Sequence, residues 1–441
     1  MHLCAAFTLR FCVGNSKIEK DTGLPEAFER RMKEQLGAEF ESFKEALSMP
    51  PPVSVRVNTL KAPSMLKGDP VPWCSTGLYL EERPVFTLDP HLHAGAYYVQ
   101  EPSSMYLEQV VKRSIDLTQP LKVLDLCAAP GGKSTHLLQL INDQSLLVSN
   151  EVIRPRASIL SENIQKWGKA NAVVTNNDPR DFGNLRGFFD LIVVDAPCSG
   201  EGLFRKDKDA MEEWSVENVN LCSVRQRRVL SDVWPALKEN GVLIYCTCTY
   251  AEAENELNAK WLSEEYDLEI LEAPRKFMPH RDKGEGFFIT SVRKRSKENT
   301  VRLKGNDLKL SRLNPGWLNG EFKYYEFGDL LVAFNSEEAL PLNIISRGVA
   351  VASIKKNKLI PEHALALSID LNNESFPVVD VDKEEALKYL SKQTIEPKDS
   401  EKGFALIRYQ NNNLGFVNRL GNRINNLYPA NWRIRMDIRG T

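Results

Sequence analysis

The stretch Val123-Leu124-Asp125-Leu126-Cys127-Ala128-Ala129-Pro130-Gly131-Gly132-Lys133-Ser134-Thr135 constrains the fold of this chain more than any other. An apolar run gives way to alanine, proline and glycine, and these give way to a helix-forming segment. Strand, tight turn and helix in that order put a ligand at the carboxyl end of a strand in an open α/β sheet. Small residues let the backbone approach the ligand. The first turn of the new helix offers N–H groups that have no partner within the helix.

Two nucleotide-binding patterns compete for this stretch, and a third fits it better. Gly132-Lys133-Ser134 matches the end of a phosphate-binding loop, G-x-x-x-x-G-K-[ST], but that loop begins with a glycine where this chain has Cys127. The G-x-G-x-x-G of dinucleotide-binding turns is absent. Downstream, Leu146-Leu147-Val148-Ser149-Asn150-Glu151 is a short apolar strand ending in a carboxylate. Glu151 lies about twenty residues past the turn, where an acidic side chain takes the ribose hydroxyls of an adenosine cofactor. The pattern favours S-adenosylmethionine over ATP.

The chain has 441 residues, 42% hydrophobic and 26% charged. That is globular composition, long enough for roughly two to four domains. A formal net charge of −2 leaves no global basic field, so any nucleic-acid surface has to be local. Of Cys4, Cys12, Cys74, Cys127, Cys198, Cys222, Cys246 and Cys248, only the last pair is close in sequence. No C-x-x-C pair and no His/Cys spacing of a zinc site is present, so no metal is expected. A chain of this size without an export signal belongs in a reducing, cytoplasmic compartment. No apolar run reaches the roughly eighteen residues of a membrane span. Met1 to Ser16 is mildly apolar, but Arg10 interrupts it and no basic segment precedes it. Residues 1–20 read as a disordered or mis-set start.

From Leu24 to Leu47 apolar residues recur at helical spacing, and Pro50-Pro51-Pro52 ends the pattern. Val53–Asn58 alternates as a strand, with Arg56 as a solvated edge residue or an RNA-phosphate contact. The paired Tyr97 and Tyr98 suit packing or base stacking. Ser103 or Ser104 is a candidate cap for a helix through Arg113. Residues 21–115 thus form a small α+β unit. Strands then alternate with helices: Leu121–Leu126, Leu146–Asn150, Ala172–Asn176, Leu191–Val194 and Val242–Tyr245, with helices near Ser134–Asn142, Arg154–Trp167, Glu217–Leu237 and Glu252–Ser263. Leu268–Leu271 and Phe287–Val292 complete seven strands over 116–295, the last antiparallel. Continuous apolar strands in alternation with helices predict a parallel, doubly wound sheet.

Three more of these strands end in small polar residues: Asn176-Asn177-Asp178, then Asp195-Ala196-Pro197-Cys198-Ser199-Gly200, then Cys246-Thr247-Cys248-Thr249. All converge on the rim beside the Gly131 turn, where ligands bind in such sheets. Core cysteines are small hydrophobes, which suits Cys222 and Cys246. Cys198 and Cys248 lie just past strand ends. There a thiolate is reachable by substrate and favoured by Lys133 and a cationic sulfonium.

Asp-Leu-Cys-Ala-Ala-Pro-Gly-Gly-Lys (125–133), Asp-Ala-Pro-Cys-Ser-Gly (195–200) and Thr-Cys-Thr (247–249) resemble the signature motifs of the Sun/Fmu-type RNA cytosine-5 methyltransferases. Arg56-Val57-Asn58-Thr59-Leu60, Tyr98-Val99-Gln100-Glu101 and Gly286-Phe287-Phe288-Ile289 resemble flanking motifs of that family. Gly403-Phe404-Ala405-Leu406, Arg423-Ile424-Asn425-Asn426 and Tyr428-Pro429 are similar to the PUA-like end of its RsmF subfamily. The resemblance implies a Rossmann-like class I methyltransferase fold flanked by RNA-binding domains. It also implies 5-methylcytosine formation in RNA, with small-subunit rRNA as substrate ahead of tRNA. Residue by residue, it implies Cys248 as nucleophile on cytosine C6 and Cys198 in breakdown of the adduct. Without it the choice stays open, because DNA cytosine methyltransferases use the cysteine of a Pro-Cys pair. Asp195 corresponds to the carboxylate that holds the cytosine edge, and Lys133 to a lysine between cofactor and base. Cys127, Ala128, Ala129, Pro130, Gly131, Gly132 and Lys133 correspond to the cofactor loop, with Asp195 beside it, Glu151 on the ribose and Asp178 near the adenine. Arg156 is read as support for that pocket or as a solvated helix residue. The target base has to leave its stack to be reached. The competing reading is a non-catalytic RNA-binding assembly factor.

Residues 293–312 carry eight lysines and arginines, from Arg293 to Arg312, and read as a solvated linker. A small β-rich middle domain is expected to about Asp380, with a helix at Lys383–Lys392 opening the last module, 381–441. In that module Lys402, Arg408, Arg419, Arg423, Arg433, Arg435 and Arg439 interleave with Tyr409, Tyr428 and Trp432. That mixture suits irregular RNA or a solvated β-surface. A monomer without membrane contact is expected.

Overall fold

The computed structural model describes residues 23–62, 66–300, 309–356, 358–397 and 400–438. The expected start segment, residues 1–20, lies outside the described residues, as do Arg302, Lys304 and Arg439. A large sheet organises the fold, with strands β1 (Lys122–Asp125), β2 (Leu146–Asn150), β3 (Ala172–Thr175), β4 (Phe189–Asp195), β5 (Leu237–Thr247), β6 (Leu268–Phe277), β7 (Phe287–Lys294) and β8 (Ile344–Arg347). Their spatial order is β6-β7-β5-β4-β1-β2-β3-β8. β1 to β5 pair in parallel, and the pairs made by β6, β7 and β8 are antiparallel.

Alternate residues of each central strand feed two separate cores, which is why the strands read as unbroken apolar runs. On one face Leu124, Val148, Ile192 and Leu243 pack with Val229, Leu230 and Val233 of α3 (Val216–Val233). On the other, Val123, Leu147, Leu191 and Ile244 pack with Leu137 and Leu138 of α1 (Gly132–Leu140) and with Leu160, Ile164 and Trp167 of α2 (Arg154–Trp167). The sheet has eight strands rather than the expected seven. β3 is buried along its whole length and would leave an open edge, which β8 closes through the pairs Ile344–Thr175 and Arg347–Val173. Element ends also move. Pro235 converts the end of α3 to a 3-10 turn, and β5 begins at Leu237. The helix expected from Glu252 is α4 (Glu256–Glu265), because Asn255 is occupied bridging Thr247 and Thr249.

Before the sheet, helices Glu26–Leu36 and Phe40–Ser48 break at Gly37, whose φ is +55°. Strand Val53–Val57 lies between Gly77–Leu80 and Tyr97–Val99. Arg56 is neither a solvated edge residue nor a phosphate contact. It is fully buried, with Nε donating to Gln100 Oε1 at 2.8 Å, Nη1 to Gln139 Oε1 at 2.7 Å and Nη2 to Gly132 O at 3.3 Å. The Trp167 ring lies 4.5 Å from its guanidinium. Tyr97 donates to Asp89, and Tyr98 packs on Gly132, so both serve packing. The helix start at Ser103 is capped by Glu101, whose carboxylate accepts from Ser103 N and Ser104 N at 2.9 and 2.8 Å, and neither serine acts as cap.

After β7 a five-stranded antiparallel sheet runs from Lys309–Leu310 to Lys358–Pro361. The last sheet joins Val378–Asp380, Lys402–Tyr409, Asn412–Leu420 and Ile424–Asn426 beside helix Lys383–Leu390. The basic stretch is not wholly a solvated linker. Lys294 ends β7, buried, and donates to Trp234 O and Leu237 O. In the tail Tyr428 is fully buried core, Tyr409 and Trp432 are partly buried against the same cluster, and Tyr428 and Trp432 flank His363 edge-on. Lys402, Arg423, Arg433 and Arg435 are exposed, whereas Arg408 pairs with Asp380 and Arg419 with Glu401.

Candidate active site

The carboxyl ends of β1, β2, β3, β4 and β5 carry the sequence-derived candidates. After β1 the chain turns through Cys127–Gly131, with a cis peptide at Ala129–Pro130 and Gly131 at φ +119°. A Cβ at Gly131 would make only a tight 3.3 Å contact with Leu160 Cδ1, so it is the backbone conformation that calls for glycine. Asn150, at the end of β2, organises the rim. Its amide donates to Leu126 O and Asn177 O, and its Oδ1 accepts from Thr175 Oγ1 and Asn177 N. Sequence reading passed over Asn150; a polar residue closing an apolar strand was the available signal.

Glu151 is buried, with Oε1 accepting from Ile153 N at 2.9 Å and Oε2 3.4 Å from Arg156 Nη1. Arg156 also donates to Ala129 O at 2.8 Å, so it ties the β1 turn to Glu151 and is not a free helix residue. Asp178 caps the short helix Pro179–Phe182 and takes Arg228 Nη2 at 2.5 Å. Partial burial works against its ionisation, but Arg180 N–H and Arg228 hold its pKa below the usual range. Asp125, closing β1, accepts from Ser134 Oγ at 2.7 Å, while its buried Oδ1 has no partner. Burial pushes its pKa up to about 7.

Lys133 crosses from α1 to β4, its Nζ 2.7 Å from Asp195 Oδ2 and 5.2 Å from the Phe287 ring centre. Burial pulls the ammonium down, but the carboxylate outweighs it and the pKa stands above its ordinary value. Cys246 is fully buried on β5, with Sγ 3.7 Å from Asp195 Oδ1. Cys198 and Cys248, each partly buried, bring their Sγ atoms to 3.1 Å. The Cys198 thiol is held well above its ordinary pKa, first by its contact with the Cys248 sulfur and then by burial.

The two cysteine loops are bound to each other. Gly202 N donates to Cys248 O at 2.9 Å and Ala196 N to Cys246 O at 2.9 Å. Ser199 Oγ lies 2.9 Å from Thr249 Oγ1, and Ser199 N donates to the buried carboxylate of Glu254 at 3.0 Å. Glu254 and its partner Gln226 carried no sequence signal. Among the described residues, the group of side chains close enough to hold a metal is Cys74, Glu108 and His136, with ligand atoms within 4.8 Å of one another. Its carboxylate is already taken by Lys112 at 2.6 Å and Ser75 N at 3.2 Å.

The donor set fits an adenosine cofactor with a positive sulfur: a turn with glycine at positive φ, a buried carboxylate one strand over, and acids at the ends of β1 and β4. Comparisons with known proteins agree with this geometry. Residues 114–293 match the family described as 16S rRNA methyltransferase RsmB/F. Residues 24–102 match the N-terminal domain of 16S rRNA methyltransferase RsmF, and 376–434 match the methyltransferase RsmF PUA domain. A ribosomal RNA small subunit methyltransferase F of Vibrio vulnificus is 31% identical over 92% of this chain and 97% of its own length. One of Aeromonas salmonicida is 31% identical over 85% and 90%. Among solved structures, a methyltransferase homolog from Pyrococcus horikoshii aligns with TM-score 0.54 and 28% identity, over 62% of this chain and 96% of that one. The cofactor of this fold is S-adenosylmethionine, and the chain belongs to the RsmF family of methyltransferases.

Proposed function

We propose that the protein methylates C5 of a cytosine in small-subunit ribosomal RNA through a covalent bond between Cys248 Sγ and C6 of the ring. The observation that carries this reading is the pair of free thiols 3.1 Å apart beside the Lys133–Asp195 ion pair. The names of the relatives support the RNA class. Exposed Lys402, Arg423, Arg433 and Arg435 on the last module supply cations for its backbone.

Cytosine C5 is a poor nucleophile. Addition of a thiolate to C6 moves electron density onto C5, and Cys248 is the thiol assigned to that step. The Cys248 proton passes to solvent before attack. Bound S-adenosylmethionine supplies the electrophilic methyl group. Asp195 faces the base edge, where its carboxylate accepts from the exocyclic amine while Lys133 fixes its orientation. Once Cys248 is a thioether, its sulfur no longer opposes ionisation of Cys198, whose own proton then leaves to solvent. Cys198 can then take the C5 proton as the C6–Sγ bond breaks and its electron pair returns to Cys248. Cys127–Gly132 and Glu151 hold the cofactor's adenosine, with Arg156 keeping the two together and Asp178 at the adenine end.

A denaturing trapping gel tests the assignment. Wild type, Cys198→Ala and Cys248→Ala are incubated with S-adenosylmethionine and small-subunit rRNA. A protein–RNA band that builds up in Cys198→Ala and is absent in Cys248→Ala is expected. The reverse pattern moves the nucleophile to Cys198. Trapping with tRNA alone changes the substrate, and no methyl transfer to any RNA leaves an RNA-binding assembly factor.

A further inference from the structure

Glu254 sits in the turn between β5 and α4, on the Cys248 side of the site, and reaches across to the Cys198 side. Its side chain is fully buried. Oε2 accepts from Ser199 N at 3.0 Å and from Gln226 Nε2 at 2.8 Å, and Oε1 accepts from Ser199 Oγ. Gln226 in turn donates to Pro197 O at 3.0 Å and is held by Tyr245 Oη, which donates to its Oε1 at 3.0 Å. The carboxylate therefore grips the residues on both sides of Cys198: Ser199 directly and Pro197 through Gln226. Ser199 Oγ carries the link on to Thr249, next to Cys248, whose Oγ1 accepts from Ala251 N at 3.2 Å.

A buried carboxylate is an expensive way to close a turn, because its charge loses water that only strong donors replace. Burial raises the pKa of Glu254 to about 7. An uncharged residue would close the same turn at less cost. What the carboxylate adds is three donors drawn to one point, two of them on the residue after Cys198. We propose that Glu254 is a positioning residue for the release step, holding Cys198 Sγ against the sulfur of Cys248 so that it takes the C5 proton when the C6–Sγ bond breaks. This rests on the roles given above to Cys248 and Cys198. Formation of the bond needs only Cys248, so Glu254 acts after it.

The test uses the full chain with S-adenosylmethionine and small-subunit rRNA, read by the trapping gel and by methyl transfer in one and in many turnovers. In Glu254→Ala the adduct is expected to accumulate as it does in Cys198→Ala. Steady-state turnover should fall on the order of tenfold to a hundredfold, the range for a misplaced catalytic group, with first-turnover methyl transfer near wild type. Glu254→Gln keeps an acceptor for Ser199 N and Gln226 Nε2 and a donor for Ser199 Oγ, so it should restore release. If Glu254→Ala does not fold, Gln226→Ala frees Pro197 and is expected to accumulate adduct in the same way. Parallel loss of adduct and methyl transfer in a folded Glu254→Ala overturns the proposal, as does absence of accumulation in it, or in Gln226→Ala used in its place, while Cys198→Ala traps. A Cys198→Ala that fails to trap, or a Cys248→Ala that traps, condemns the cysteine assignment instead.

Discussion

Asp125 is fully buried at the end of β1, and only one of its oxygens has a partner. Its pKa of about 7 in the folded chain exceeds the 3.8 of a free aspartate. Folding therefore binds its proton more tightly, so this contribution to stability is complete below about pH 4 and is lost as pH rises to about 7. Buried His136, lowered to about 4, works the other way over nearly the same window. Denaturant unfolding of the free protein at pH 5 and pH 8 separates the two by difference. Asp125→Asn is expected to lose less stability over that interval than wild type, by on the order of 2 kcal/mol. Arg56 makes the opposite point about charge. Strand alternation gave its position but not its environment, because the partners Gln100, Gln139 and Gly132 come from other elements. Arg56→Met should cost about 3 kcal/mol by the same unfolding measurement. The salt dependence of RNA binding should stay unchanged, since no phosphate contact is lost.

Elements were legible where the cause is local. The β1–turn–α1 unit announces itself through its small residues, and the central strands through their apolar runs. β8 was not legible, because a four-residue strand pairs with β3 from far along the chain and nothing around Ile344 signals it. The start of α4 was missed for a similar reason: Asn255 serves Thr247 and Thr249 instead of the helix. Candidate site positions at strand ends were legible, Asn150 included had its polar close of an apolar strand been weighed, whereas Glu254 meets its partners Ser199 and Gln226 only through folding. The end of α2 shows how an element joint is fixed. Gly168 has φ +91°, and its carbonyl accepts from Ile369 N at 3.1 Å. A Cβ there would stand 2.4 Å from Leu367 O. Gly168→Ala is expected to destabilise by about 2 kcal/mol or more, lowering the melting temperature by several degrees.

Three parts of the molecule meet at Lys61. Its Nζ donates to Ala94 O before the central sheet, to Lys166 O at 2.8 Å on α2, and to Leu367 O at 2.8 Å after β8. Replacement by methionine leaves three carbonyls to find other donors, each at a cost of about 1–3 kcal/mol when buried. Lys61→Met should therefore loosen the C-terminal part first, seen as limited proteolysis after residue 300 at protease levels that leave wild type intact. No sequence pattern foretells such a joint, since each of its members looks like an ordinary surface or turn residue. Cytosine-5 methylation through Cys248 has one decisive chemical outcome, the position of the methyl group. Small-subunit rRNA treated with wild type or Cys248→Ala and S-adenosylmethionine is digested to nucleosides and read by mass spectrometry. 5-Methylcytidine is expected with wild type and none with Cys248→Ala. A methyl group on any other atom, or 5-methylcytidine formed without Cys248, would contradict cytosine-5 methylation through Cys248.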